Sequence, residues 1–177
     1  MVKRFFVFVF FAISGFSGCG TNGSSGNNVD LIPPGNRVPA TEIKATFLNA
    51  SSGLNLAQTR GKLLVVDYWA TWCGPCRMEI PTLVKMYDTY HSKGLELWGL
   101  SVEGNDGKPD GYFNKFISDY QIQYPVGLAS MDTLKAYGIN PIPTTFFIDK
   151  SGKIALSFVG VHPEGDFVGA IEKLLAE

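Results

Sequence analysis

Leu63-Leu64-Val65-Val66-Asp67-Tyr68-Trp69-Ala70, followed at once by Thr71-Trp72-Cys73-Gly74-Pro75-Cys76, is the stretch on which the fold turns. A nearly continuous apolar run of this length fits a central strand covered on both faces. The two cysteines, three apart, fall where that strand gives way to a helix predicted from about Gly74 to His91. Cys73 then sits at the helix N-terminus, where unpaired N–H groups and the positive dipole end favour a thiolate. The thiolate is the nucleophile in disulfide exchange, so this placement activates Cys73. Cys76, one helical turn later, shares its face and is predicted to be buried behind it. From there it can attack a mixed disulfide on Cys73 and release the partner.

Half of a zinc site has the same spacing. The remaining candidates are Cys19, His91 and His162, and none is spaced as a ligand pair, whereas a structural zinc site needs two further ligands. A permanent structural disulfide is the other alternative. So small a loop constrains little of the unfolded chain and makes a poor staple. The residues therefore favour a catalytic dithiol with no metal.

The chain has 177 residues, enough for one domain and a leader, and a formal net charge of −1. No basic patch with interleaved aromatics points to nucleic acid. Lys3 and Arg4 precede a short, phenylalanine-rich apolar stretch, Phe5 to Gly15, that is too short to span a bilayer comfortably. Phe16-Ser17-Gly18-Cys19 then resembles a bacterial lipoprotein signal, with lipid on Cys19, although Phe16 stands where an aliphatic is usual. An ordinary signal peptide cut nearby is the alternative. Three cysteines is an odd count for an exported chain, and lipid on Cys19 leaves the other two as a pair. The expected organisation is a signal peptide over 1–18, a flexible Gly/Ser/Asn/Pro tether over 19–38 and one domain over 39–177.

Within that domain, Ile43 to Leu48 and Leu54 to Leu56 read as a hairpin. Leu95 to Val102 reads as the next strand and Gly104 to Gly111 as a loop. Tyr112 to Tyr120 is an amphipathic helix and Gln123 to Leu128 an extended piece. Asp132 is the predicted N-cap of a helix ending at Gly138. Pro143 to Asp149 and Lys153 to Val159 form a hairpin about Ser151-Gly152, and Pro163 to Ala176 a closing helix. Pro81 predicts a kink in the helix after the cysteines. The fold class is α/β, a central mixed sheet flanked by helices.

Val66 to Arg77 resembles the active-site strand and helix start of the thioredoxin superfamily. Tyr137-Gly138-Ile139 with Ile142-Pro143-Thr144-Thr145-Phe146 is similar to the segment that carries its cis-proline. An extra N-terminal hairpin and a central insertion (about Gly104 to Leu128) resemble the TlpA/ResA branch of exported thiol–disulfide oxidoreductases. The resemblance implies Cys73 as nucleophile, Cys76 as resolving cysteine and a cis peptide before Pro143. It implies docking of an extended substrate on the Ile142 backbone. Asp67 would help move the proton of the buried cysteine, although the lysine accompanying that acid in thioredoxin falls near Gly99 and is absent. Trp72, Gly74 and Pro75 surround the dithiol, and Glu103 lies close to where some relatives keep a functional glutamate.

Gly74-Pro75 matches the reducing members, since neither residue stabilises the thiolate through its side chain. The resemblance thus implies a reductant of disulfides in exported proteins, for example cytochrome c apoproteins. Its partner is a membrane electron donor of the DsbD/CcdA type, its location the periplasmic side of a bacterial envelope, and it needs no cofactor beyond the Cys73–Cys76 disulfide. A thiol peroxidase on the same fold is a rival, but Thr71-Trp72-Cys73 does not fit the peroxidatic pattern. A copper metallochaperone is another, usually with wider CxxxC spacing. A non-catalytic binding module is a third, and such modules often lose the cysteine pair that this chain keeps.

Overall fold

The computed structural model describes residues 29–50, 54–104 and 106–177. Cys19 and the leader lie outside the described residues. Among the described residues seven strands form one mixed sheet: β1 (Val38–Pro39), β2 (Ala45–Phe47), β3 (Leu63–Trp69), β4 (Leu95–Ser101), β5 (Val126–Ala129), β6 (Thr144–Ile148) and β7 (Lys153–Val159). Their order is β1-β7-β6-β3-β4-β5-β2. β3, β4 and β5 run parallel, and the remaining neighbours pair antiparallel. The helices are α1 (Gly74–Tyr90), α2 (Tyr112–Asp119), α3 (Met131–Ala136) and α4 (Glu164–Ala176).

Every residue of β3 is buried, as its unbroken apolar run requires of a central strand. Its alternation separates two cores. Leu63, Val65 and Trp69 face the side covered by α1 and α4, where they meet Ile80, Leu83, Phe167 and Ile171. Leu64, Val66 and Tyr68 face the other side with Ile43, Trp98 and Leu100. Asp67 falls in the first register, under α1. Full burial of each such aliphatic side chain stabilises by about 1.5–3 kcal/mol.

α1 begins at the cysteine pair because Cys73 is its N-cap, with Sγ accepting the Cys76 N–H at 3.1 Å. Pro75 occupies the first turn, where a missing N–H costs nothing. The helix runs on through Pro81, which lacks the N–H that the Arg77 carbonyl would otherwise receive. It ends in a 3-10 turn closed by Gly94 at φ 103°.

Three expectations are corrected. Ile43 to Leu56 is not a hairpin. β2 pairs with β5, and Asn49 extends that ladder, donating to the Tyr124 carbonyl at 3.0 Å and accepting from Val126 N–H at 2.7 Å. Leu56–Thr59 is a 3-10 helix capped by Asn55 and Gln58 in a reciprocal capping box. The turn residues 51–53 lie outside the described residues. Second, α3 is capped by Ser130, whose Oγ accepts the Thr133 N–H at 3.2 Å, and Asp132 lies in its first turn.

Third, residues 29–38, read as the end of the tether, pack on the domain. Val29 is buried in the core, and its carbonyl accepts from Lys173 Nζ at 2.7 Å. Ile32 N–H donates to the Ala155 carbonyl at 2.8 Å. The buried Arg37 guanidinium bonds Asp149 at 3.0 Å and Glu177 at 2.7 Å. Burial alone would raise the Asp149 carboxyl, but hydrogen bonds from Ser151, Lys153 and Arg37 hold it below its usual value. No helix among the described residues is long and apolar enough to cross a membrane.

Candidate active site

Cys73 and Cys76 are joined in a disulfide where β3 gives way to α1, with Cα atoms 5.3 Å apart. Cys73 is 5% exposed and Cys76 1%, so an incoming group meets Cys73 first. The Cys76 N–H on Cys73 Sγ is the donor that would hold a thiolate in the reduced protein. Cys73 Sγ lies 3.9 Å from the Ile142 carbonyl oxygen, and the Ile142–Pro143 peptide is cis. β6 begins immediately afterwards, antiparallel to β3, which brings the Ile142-Pro143 turn over the dithiol. Gly74 is half-buried with open space about its Cα, Pro75 is exposed, and Trp72 and Met78 stand out at 66% and 68% exposure.

Asp67 lies beneath, fully enclosed. Burial is the main cause that drives its carboxyl well above the usual range, and the nearby Glu79 charge adds to it. The opposing influence is a hydrogen bond from Thr145 Oγ1 at 3.2 Å. In the parallel register Asp67 stands opposite Gly99. A Cβ on Gly99 would come within 2.9 Å of the Tyr124 ring and 3.2 Å of Trp69 Nε1. The place where a lysine would partner Asp67 is thus filled by aromatic rings.

Glu79 was not among the sequence candidates. It lies three residues after Cys76 on the buried face of α1 and is 2% exposed. Oε1 accepts the His162 backbone N–H at 3.3 Å, and among the described residues Oε2 has no hydrogen-bond partner. Burial pushes its carboxyl up to about 7, against the His162 contact that favours the charged form. Two buried acids, Asp67 under α1 and Glu79 one helical turn after Cys76, therefore sit close enough in the core for the Glu79 charge to act on Asp67, both held toward the protonated form. The signal for Glu79 was there: a glutamate at helical spacing with Cys76 and Leu83, in an otherwise apolar stripe.

Glu103 does not join this group. It braces the loop before the cysteines, accepting from Thr71 N–H at 2.7 Å and from Lys108 Nζ at 2.9 Å. Burial alone would raise its carboxyl, but these bonds bring it below its usual value. Tyr112 of the insertion holds the same residue, its hydroxyl 2.8 Å from Thr71 Oγ1. The insertion therefore fixes the approach to Cys73 from one side, as the Ile142-Pro143 turn does from the other.

This arrangement can exchange disulfides: an outer sulfur at a helix N-terminus, a more deeply buried sulfur one turn behind it, and buried acids to hold a proton. Together with the sheet it defines a thioredoxin-fold thiol–disulfide oxidoreductase. Residues 34–157 match the AhpC/TSA family model, and the chain belongs to that family. Its relatives include the thiol-disulfide oxidoreductase ResA of Geobacillus thermodenitrificans, 33% identical over 67% of this chain and 67% of the relative. ResA of Bacillus thuringiensis is 30% identical over 68% of each. The crystal structure of a thiol:disulfide interchange protein of the thioredoxin family from Chlorobium tepidum superposes with a TM-score of 0.68 at 29% identity, covering 78% of this chain and 97% of that one.

Proposed function

We propose that the protein is a reductant of disulfides in exported polypeptides, cytochrome c apoproteins being one example, working through Cys73 and Cys76. The observation that supports it most is the Cys73–Cys76 pair at a helix N-terminus, with only Gly74-Pro75 between the sulfurs and two buried acids, Asp67 and Glu79, in the core under the same helix. Cys73 thiolate attacks one sulfur of the substrate disulfide. A mixed disulfide forms and the substrate's other sulfur leaves as a thiolate. Cys76 gives its proton toward the ionised form of Glu79, which is present near neutral pH because its carboxyl is pushed up only to about 7, with Asp67 as the deeper acid. Cys76 then attacks Cys73 Sγ and expels the second substrate thiolate. The substrate gains two electrons and the protein ends as the disulfide seen here. The substrate backbone lies along Ile142, next to Cys73, as an added strand.

Each turnover needs a fresh pair of electrons. In an oxidising compartment a membrane donor of the DsbD/CcdA type supplies them. The lipoprotein-like Phe16 to Cys19 segment supports an anchored protein on the periplasmic side of the envelope. The test is single-turnover reduction of a disulfide-bonded polypeptide such as insulin by the pre-reduced protein. Stoichiometric reduction that Cys73→Ser abolishes, with Cys76→Ser stalling at a covalent mixed disulfide, is the expected result. Failure to reduce it, with rapid oxidation of the thiols by peroxide instead, would move the assignment to a peroxidase. Retention of stoichiometric copper after dialysis would move it to a metal carrier.

A further inference from the structure

The seam between α1 and α2 begins within two residues of the cysteine pair along the chain and follows α1 away from it. Its first part is a depression of about 560 Å³ lined by Thr71, two residues before Cys73, and by Arg77, next after Cys76. It continues through Asp119 and Tyr120 into a second of about 440 Å³. That one shares Val84, Asp88 and Gln121 with a third of about 610 Å³. From Arg77 to Asp88 the seam follows three turns of α1, about 16 Å at the helical rise. That length holds about five residues of extended chain.

Its chemistry is that of a peptide site. Phe116 lies along the seam, its ring stacked on Trp69 at 4.8 Å and on Tyr120 at 4.5 Å, with Val84, Ile117 and Ile122 further along. The exposed rim includes four neutral hydrogen-bonding side chains, Asn114, Ser118, Gln121 and Gln123, among its charged ones. Charges are balanced, Arg77, Lys85 and Lys115 against Asp88, Asp110 and Asp119, which suits neither a phosphate nor an acidic partner. Apolar recesses take alternate side chains, and amides take the backbone between them.

Gln121 adds an independent observation. It holds φ at 54°, the one non-glycine residue with positive φ among the described residues, where α2 ends with Ile122 N–H on the Ile117 carbonyl. That position favours glycine. A side chain is kept there at the expense of backbone strain, and it lines both the second and the third depression.

We propose that the α1–α2 seam is the docking groove for the extended polypeptide flanking the cysteine that Cys73 attacks. The inference rests on the dithiol reading above. It gives the site two banks: the Ile142-Pro143 turn on the β6 side, and the groove on the β4–β5 side. A substrate is then selected by about five unfolded, partly apolar residues on one side of its cysteine.

The test uses the Cys76→Ser protein and chromogenic mixed disulfides of 2-nitro-5-thiobenzoate with cysteine alone, or with peptides carrying five alternating apolar and polar residues before or after the cysteine. Cys73 thiolate takes the peptide sulfur and the chromophore leaves as its thiolate. One of the tailed peptides should react at least about tenfold faster than the tailless probe, the factor that burial of one apolar side chain supplies. Ser118→Trp, which fills the groove, and Gln121→Gly should remove that advantage. Gln121→Gly should also melt no lower than the parent, because it relieves the left-handed strain, so its loss is not unfolding. In the trapped adduct the backbone amide resonances of Val84, Ser118 and Gln121 should shift. Equal rates with and without tails, or shifts confined to Trp72, Cys73 and Ile142, would overturn the groove and leave the dithiol chemistry standing. No reaction with any probe would remove both.

Discussion

Replacing Glu79 by Gln should change how stability depends on pH, not merely its level. The Glu79 carboxyl is pushed up to about 7 from 4.5 by burial. A folded-state value above the unfolded one means that the native protein prefers the proton. The stability this gives is complete below pH 4.5, falls as pH rises towards 7 and is gone above it. At 1.36 kcal/mol per pH unit the loss amounts to about 3 kcal/mol. The glutamine amide carries no charge at any pH, so the variant escapes that loss. Gln also brings an N–H₂ to the place of Oε2, where no partner waits, a cost that does not vary with pH. The difference in unfolding free energy between the variant and the parent, both oxidised, should therefore move in the variant's favour by about 3 kcal/mol between pH 4.5 and pH 8. Asp67 adds to the change, because its carboxyl is raised partly by the Glu79 charge. The assay is denaturant unfolding at five pH values with a common slope. Two parallel stability curves, offset by a constant, would refute the assignment of a displaced carboxyl to Glu79.

Two further predictions follow from the positions of Glu103 and Arg37. Glu103→Ala leaves the buried Thr71 N–H without its acceptor and should cost about 1–3 kcal/mol by chemical denaturation, with little change in reduction potential. A large potential change at unaltered stability would instead place Glu103 in the redox chemistry. Arg37→Ala strands the Asp149 and Glu177 carboxylates. It should cost about 2–3 kcal/mol at neutral pH, below the full penalty for a buried pair because Glu177 is partly exposed. Unchanged stability would mean that the Arg37 ion pairs contribute nothing to the docking of residues 29–38.

What could be read from the chain was whatever is encoded locally. The apolar run of β3 admits few other structures, and the cysteines at its end mark the start of α1. Asp67 stands out because it interrupts that run. Glu79 interrupts a helical stripe just as clearly, but such a stripe is read for its apolar positions, so the exception passes unnoticed. β2 was legible as a strand and not in its pairing: Ala45–Phe47 finds β5 far along the chain, while the local turn suggested a return at Leu54. Arg37 lies in a segment whose prolines and glycine suggest a leash. Its partners, Asp149 and Glu177, are brought to it only by the folded sheet and α4. Ser130 and Asp132 are equally good capping residues, and the exit of the chain from β5 decides between them.

The reduction potential of the Cys73–Cys76 couple, measured in redox buffers at pH 7, tests the central claim most directly. A reductant on this scaffold should lie near or below thioredoxin's value of about −270 mV. A value near about −120 mV, that of a strong oxidant, would reverse the flow of electrons and make the protein a donor of disulfides.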